Sequence, residues 1–121
     1  MMNKALFLDR DGVINVNYGY VHTKENFEFI EGIFDLVREA RAANYLVFVV
    51  TNQAGIGRGY YSEEQFHELT AWMCREFDRH QASIDKVYYS PFHPTQGLGK
   101  FLKDESTRKP GPGMLLAAQL E

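Results

Sequence analysis

Asp9 and Asp11 stand two residues apart, directly after the apolar run Ala5-Leu6-Phe7-Leu8. An aspartate is ionised at neutral pH, so Asp9 needs no base to act as a nucleophile toward phosphorus. Attack would give an aspartyl-phosphate. Asp11 could then protonate the departing oxygen and later take a proton from the attacking water. Gly12 lets the chain turn sharply and would bring backbone N–H groups toward the phosphate. Close carboxylates and a phosphate repel one another, so this chemistry calls for a hard cation, and oxygen ligands beside phosphate point to Mg²⁺. A polar turn that merely ends a strand is the plainer alternative. A calcium loop fails, because Val13 and Ile14 stand where a third oxygen ligand and the loop glycine belong.

An anionic substrate also needs donors. Thr51 ends a second apolar run in Val50-Thr51-Asn52-Gln53, where its hydroxyl and a neighbouring N–H could meet phosphate oxygens or simply satisfy the turn. Gly55-Ile56-Gly57-Arg58-Gly59 resembles a dinucleotide loop, but Tyr60 occupies the place of the last glycine, which excludes it. Arg58 among glycines suits a phosphate fork, or is a solvated loop charge. Arg108-Lys109-Pro110 offers a cation that could neutralise both Asp9 and a transferring phosphoryl group, or is a solvated basic pair. His22, His67, His80 and His93 are scattered without ligand spacing, and His67 and His80 read as exposed helix residues.

The elements that must position these residues follow from periodicity. Lys4 to Leu8 reads as a buried strand feeding the Asp9–Gly12 loop, and Asn15 to Ile30 as a long loop. Ile33, Phe34, Val37 and Ala40 share one face of a helix that Asn44 can stop. Tyr45 to Val50 is a second buried strand, and Thr51 to Tyr61 a glycine-rich loop. Ser62-Glu63-Glu64-Gln65 has the spacing of a capping box, and Phe66, Leu69, Met73 and Phe77 continue as a helical stripe. Val87 to Tyr89 is a third short strand, Pro91 to Thr107 an irregular loop, and Pro112 the first turn of a last helix holding Met114, Leu115 and Leu116. Alternating strands and helices imply an α/β fold with parallel strands, whose ligands sit beyond the carboxyl ends of those strands. Asp9, Thr51 and Ser90 all fall at such ends, so the first two can converge.

The bulk numbers agree with that class. A chain of 121 residues suits one domain, and 45% hydrophobic with 24% charged residues is ordinary for a globular one. The net charge of −3 gives no general attraction to nucleic acid or to an anionic membrane. Cys74 is the only cysteine, which favours a reducing compartment, and no apolar run has the length of a signal peptide or a membrane span. A cytoplasmic protein is expected.

Asp9-Arg10-Asp11-Gly12, then Thr51, then Lys109 resemble three of the four ordered motifs of the haloacid dehalogenase-like phosphatases. The longer matches narrow this. DRDGVIN from Asp9, Gly19-Tyr20-Val21, TNQAGIGRG from Thr51 and RKPGPGM from Arg108 are similar to the heptose 1,7-bisphosphate phosphatases of bacterial lipopolysaccharide and surface-polysaccharide synthesis. The resemblance implies a Rossmann-like three-layer sandwich with a parallel sheet. It also implies an Mg²⁺-dependent hydrolase that removes the 7-phosphate of a heptose bisphosphate through an aspartyl-phosphate. Asp9 and the backbone carbonyl of Asp11 would bind Mg²⁺, Asn52 would lie beside the phosphate, and Arg58 near the substrate. Gly12, Thr51 and Arg108 complete the expected substrate contacts, and Lys109 the catalytic set. Histidinol-phosphate phosphatases, which share DRDG and TNQ, remain an alternative, as does an inactive fragment that keeps a phosphate pocket.

Two departures from the family pattern matter. The fourth motif, with its acidic Mg²⁺ ligands, has no counterpart before Glu121, so the fold is expected to be incomplete at its carboxyl-terminal side, with Lys4 to Leu8 as a sheet edge open to self-association. Many relatives also carry a structural zinc loop of three cysteines and a histidine. Here the matching positions are Ser90, Phe92, Glu105 and Thr107, and a zinc site needs four good ligands. Elemental analysis of chelator-treated protein is therefore expected to find no stoichiometric zinc, and one zinc per chain would contradict the substitution argument.

Overall fold

The structure, a computed structural model, describes residues 4–91. Strand β1 (Lys4–Leu8) is followed by helix α1 (Ile33–Ala42), strand β2 (Tyr45–Asn52), helices α2 (Ala54–Gly57) and α3 (Glu63–Arg79), and strand β3 (Lys86–Ser90). The three strands form a parallel sheet in the order β1-β2-β3. The central strand reads LVFVV and is buried on both faces, which is why it lacks the alternation of a half-exposed strand. The register pairs Leu8 with Val49 and Asn52 with Ser90, so the chain leaves β1 and β2 on the same side of the sheet. This is the α/β, Rossmann-like arrangement expected from the alternation of elements. The last helix of the expected sandwich, around Met114, lies outside the described residues.

The helical stripes are the core. Ile33 and Val37 of α1 and Leu69, Met73 and Phe77 of α3 are buried in one cluster with Leu8, Val47 and Val49. Phe29, Phe34, Trp72 and Phe77 stack across the two helices at centroid distances of 4.8–5.7 Å. Helix α1 stops at Ala43, and Asn44 takes a φ of 67°, the left-handed position an asparagine tolerates. Asp85 then ties three segments together. Its carboxylate accepts from Arg41 of α1 and from the Val47 N–H of β2, and its own N–H donates to Val47.

Two expectations need correction in detail. Asn15–Ile30 is an ordered, packed segment rather than a plain loop. The Val16 N–H donates to Glu28 and the Ile30 N–H to Ile14, a short 3-10 turn spans Lys24–Asn26, and Val21 and Phe27 are buried. Spaced aromatic and aliphatic anchors, rather than a strand or helix period, order it. The Thr51–Tyr61 stretch also contains a helical turn, α2, closed by the Arg58 N–H on the Ala54 carbonyl. Its glycines hide a helix from propensity reasoning, yet Gly55 is needed for contact, since a Cβ there would lie 2.3 Å from the Tyr61 ring.

The capping box on α3 is complete. The Gln65 N–H donates to the Ser62 hydroxyl, and the Ser62 N–H donates to the Gln65 side chain. Ser62→Ala should cost about 1 kcal/mol in denaturant unfolding at unchanged m-value. An unaltered midpoint would show that α3 is held by its buried stripe alone.

Candidate functional site

Asp9 and Asp11 follow β1, and Asn52 and Gln53 end β2, so the parallel register brings them to one end of the sheet. There they line a cleft of about 380 Å³, together with Asn17, Gly19 and Tyr20 from the following loop and Ala54, Gly55 and Tyr61 from the α2 region. A groove of about 490 Å³ at the start of α3 is larger but carries no pair of strand-end carboxylates.

Backbone turns aim these side chains. The Arg10 carbonyl accepts from the N–H groups of Val13 and Ile14, which coils the chain back immediately after β1. Gly12 sits at φ 92°, a conformation a side chain resists, and its N–H donates to the Asn15 carbonyl. The Asp9 Oδ1 accepts from the Arg10 N–H at 2.8 Å. Asp11 is gripped more heavily. Arg10 Nη2 reaches its two oxygens at 3.0 and 3.2 Å, Asn15 Nδ2 donates at 3.0 Å, and Gln53 Nε2 approaches at 3.4 Å.

Arg10 is only 2% exposed, and its guanidinium also donates to the Val21 carbonyl and lies 5.8 Å from the Phe27 ring centroid. A buried cation needs such pairing, and Asp11 supplies the countercharge. Gln53 is equally buried, and its amide joins three groups. Nε2 donates to the Thr51 hydroxyl at 2.9 Å and points toward Asp11, while Oε1 accepts a close hydrogen bond from the Tyr61 hydroxyl. That donation sets the amide orientation, because a reversed amide would turn its oxygen toward the Asp11 carboxylate. Tyr61 in turn stacks on His22 at 5.0 Å.

The sequence-derived site residues fare differently. Asp9, Asp11 and Asn52 converge on the cleft. Thr51 is 1% exposed, is not part of the cleft lining, and has its hydroxyl engaged by Gln53. Arg58 also stands outside the lining, donating to the Tyr20 hydroxyl at 2.5 Å. Arg108 and Lys109 lie outside the described residues, as do Phe92, Glu105 and Thr107, while Ser90 ends β3 and is buried. Sequence reasoning gave no role to Arg10, Gln53 or Tyr61. Arg10 and Gln53 lay inside the quoted motifs, but nothing in their spacing signals burial. Tyr61 carried no signal beyond its place beside the capping box.

No protein-family model matches the chain. Individual proteins do. A D-glycero-alpha-D-manno-heptose-1,7-bisphosphate 7-phosphatase of Burkholderia mallei is 56% identical over 119 residues, which are 98% of this chain and 63% of that protein. The D-glycero-beta-D-manno-heptose-1,7-bisphosphate 7-phosphatases of Haemophilus influenzae and Escherichia coli K12 are 50% and 48% identical over 97% and 95% of the chain, and 63% and 60% of their own lengths. The chain thus spans about three-fifths of the length of these relatives. Among solved structures, a Mesorhizobium loti chain described as a HAD-like phosphatase superposes with a TM-score of 0.91 at 34% identity, covering 98% of this chain and 56% of that one. The D,D-heptose 1,7-bisphosphate phosphatase of B. bronchiseptica, solved with magnesium and phosphate, gives 0.83 at 24% identity, covering 97% and 63%.

Burial pushes the Tyr61 hydroxyl up to about 12; the Arg10 charge opposes this, and Asp11 and Tyr20 add to it. An unfolded tyrosine ionises near 10, so between those values the unfolded chain loses this proton first. The stabilisation is whole below pH 10 and is lost as pH rises toward 12. Tyr61→Phe should therefore lose less stability than wild type across that window in pH-dependent denaturant unfolding, and identical slopes would contradict a buried, neutral Tyr61.

Proposed function

From its kinship with the haloacid dehalogenase-like phosphatases, we propose that this chain carries the nucleophile end of a phosphatase acting on a heptose 1,7-bisphosphate, in lipopolysaccharide or surface-polysaccharide synthesis. The supporting observation is the convergence of Asp9, Asp11 and Asn52 in one cleft at the ends of adjacent parallel strands. The relatives named as heptose bisphosphatases point to the same substrate class.

In this reading an Asp9 carboxylate oxygen attacks phosphorus at the 7-position, and the phosphorus–oxygen bond to the sugar breaks. Asp11, entering this step as the carboxylic acid rather than as the ion paired with Arg10, gives its proton to the departing oxygen. Water then attacks the phosphorus of the aspartyl-phosphate, Asp11 takes a proton from it, and inorganic phosphate leaves with Asp9 restored. Arg10, Asn15 and Gln53 act through Asp11: as donors they hold its ionised carboxylate in the cleft wall, the form that takes a proton from the attacking water. Asn52, in the lining, is proposed to meet a phosphate oxygen; Gly12 and Thr51, outside that lining, would contribute through the turn and through Gln53.

The donor set fits Mg²⁺. The cleft presents carboxylate and amide oxygens, and Mg²⁺ keeps several waters while taking one or two carboxylates plus substrate phosphate. Asp9 and the backbone carbonyl of Asp11 would hold it. Bound there, the ion supplies charge neutralisation between the carboxylates and the phosphate. No group of three or more His, Cys, Asp or Glu side chains that could hold a metal ion occurs among the described residues. Arg108 and Lys109 are proposed as the further cations of the site. Within the described residues, no helix is long and apolar enough to cross a membrane. A cytoplasmic enzyme on a soluble sugar phosphate, with neither nucleic acid nor membrane as partner, accords with the composition. Self-association along β1, an edge of the described sheet, is proposed with it.

Phosphate release should be measured with both anomers of heptose 1,7-bisphosphate and with histidinol phosphate, with and without Mg²⁺. Release from a heptose bisphosphate should exceed that from histidinol phosphate and vanish on chelation. Asp9→Asn should slow it at least a thousandfold, about 4 kcal/mol of barrier. Turnover by that variant near the wild-type rate would remove Asp9 as nucleophile, and absence of release from every ester would refute the phosphatase reading for this chain.

A further inference from the structure

Two sequence signatures that lie 38 residues apart meet in space: the Arg58 Nη1 donates to the Tyr20 hydroxyl at 2.5 Å. The guanidinium carbon also lies 5.6 Å from the Tyr20 ring centroid and 4.9 Å from that of Tyr60, and the two rings meet edge to face at 4.7 Å. Tyr20 lines the carboxylate cleft; Arg58 and Tyr60 do not. We propose that Tyr20, latched by Arg58, is the platform against which the carbon skeleton of a sugar phosphate packs, and that Arg58 acts through Tyr20 rather than by touching the substrate. This rests on the sugar-phosphate reading above.

The backbone argues that the ring is held there. Tyr20 has a φ of 49° directly after Gly19 at 85°, a conformation that a bulky side chain adopts only when its surroundings compensate. Hydrophobic burial is not the compensation, because Tyr20 remains 45% exposed. The cation lying against both rings, the edge-to-face contact with Tyr60 and the hydrogen bond to the phenol are what hold it. Beneath it, a Cβ on Gly55 would come within 2.9 Å of the Tyr20 ring, so the ring rests directly on the α2 backbone. An aromatic face beside the Asn17 and Asn52 side chains is the mixed wall that orients a hydroxylated ligand: C–H groups on the ring, hydroxyls on the amides. Arg58 contributes one more constraint. Its charge is spread over two ring faces and shared with a phenol, a poor arrangement for a group meant to seize a distal phosphate.

The test compares a hexose phosphate with glycerol phosphate, which lacks a ring to stack, on wild type, Tyr20→Ala, Arg58→Ala and the Tyr20→Ala/Arg58→Ala double variant. Each single variant should reduce the preference for the hexose ester, as a ratio of kcat/KM, by about tenfold, mostly through KM. The double variant should lose no more than Tyr20→Ala alone. Additive losses would show that Arg58 reaches the substrate directly, and an unaltered preference in Tyr20→Ala would remove the platform. Hydrogen exchange at amides 17–21 judges the latch without turnover: Arg58→Ala should speed it about tenfold, equivalent to a tenfold shift in the opening equilibrium. Unchanged exchange would remove the latch even if the phosphatase reading stands. Faster exchange in a chain that hydrolyses nothing would keep the latch and remove the platform along with the phosphatase reading.

Discussion

A guanidinium buried beside a carboxylate organises this end of the molecule. Arg10 is withdrawn from water, so its charge must be answered locally, and Asp11 at 3.0 Å and the Val21 carbonyl at 2.8 Å answer it. The pair therefore fixes more than itself. It sets the direction of Asp11, holds the loop that carries Val21 against the first strand, and leaves the neighbouring Asp9 facing the cleft. Arg10 and Asp9 are adjacent in sequence yet face opposite ways: Arg10 is buried against Asp11 and Val21, and Asp9 lines the cleft.

Around that pair the parallel sheet supplies convergence, and the segments after its strands supply orientation. Strand pairing alone places Asp9 near Asn52. It does not turn Gln53 toward Asp11; that takes Tyr61, whose buried hydroxyl remains a donor because desolvation resists its ionisation. Gly55 of α2 lets the rings of Tyr61 and Tyr20 come down onto the backbone. The cleft is thus lined by the polar groups of Asp9, Asp11, Asn17, Asn52 and Gln53 together with the rings of Tyr20 and Tyr61.

Much of this was legible in the sequence. The stripes Ile33/Val37 and Phe66/Leu69/Met73/Phe77 declare their helices because burial enforces the 3.6 period, and the capping box at Ser62 marks a helix start by local chemistry alone. Asp9 and Asp11 were readable as strand-end acids because they break off an apolar run, and a parallel sheet brings such ends to one cleft. What stayed hidden depends on tertiary contact. Arg10 looks like a solvated charge until the fold buries it, and Gln53 and Tyr61 find each other only through α2. Thr51 and Arg58 were legible as polar groups near the site, but not as groups already engaged by Gln53 and Tyr20. Composition cannot distinguish a residue that faces a ligand from one that holds the residue that does.

The account turns on Asp9 as the covalent acceptor of phosphate. Rapid acid quench of the protein turning over a radiolabelled sugar phosphate with Mg²⁺, followed by peptide mapping, tests it most directly. A hydroxylamine-labile label on the peptide containing Asp9 is the predicted result, since an acyl phosphate is cleaved by that nucleophile. Label that is stable to hydroxylamine, or that maps to Thr51 or any residue other than Asp9, would contradict the account.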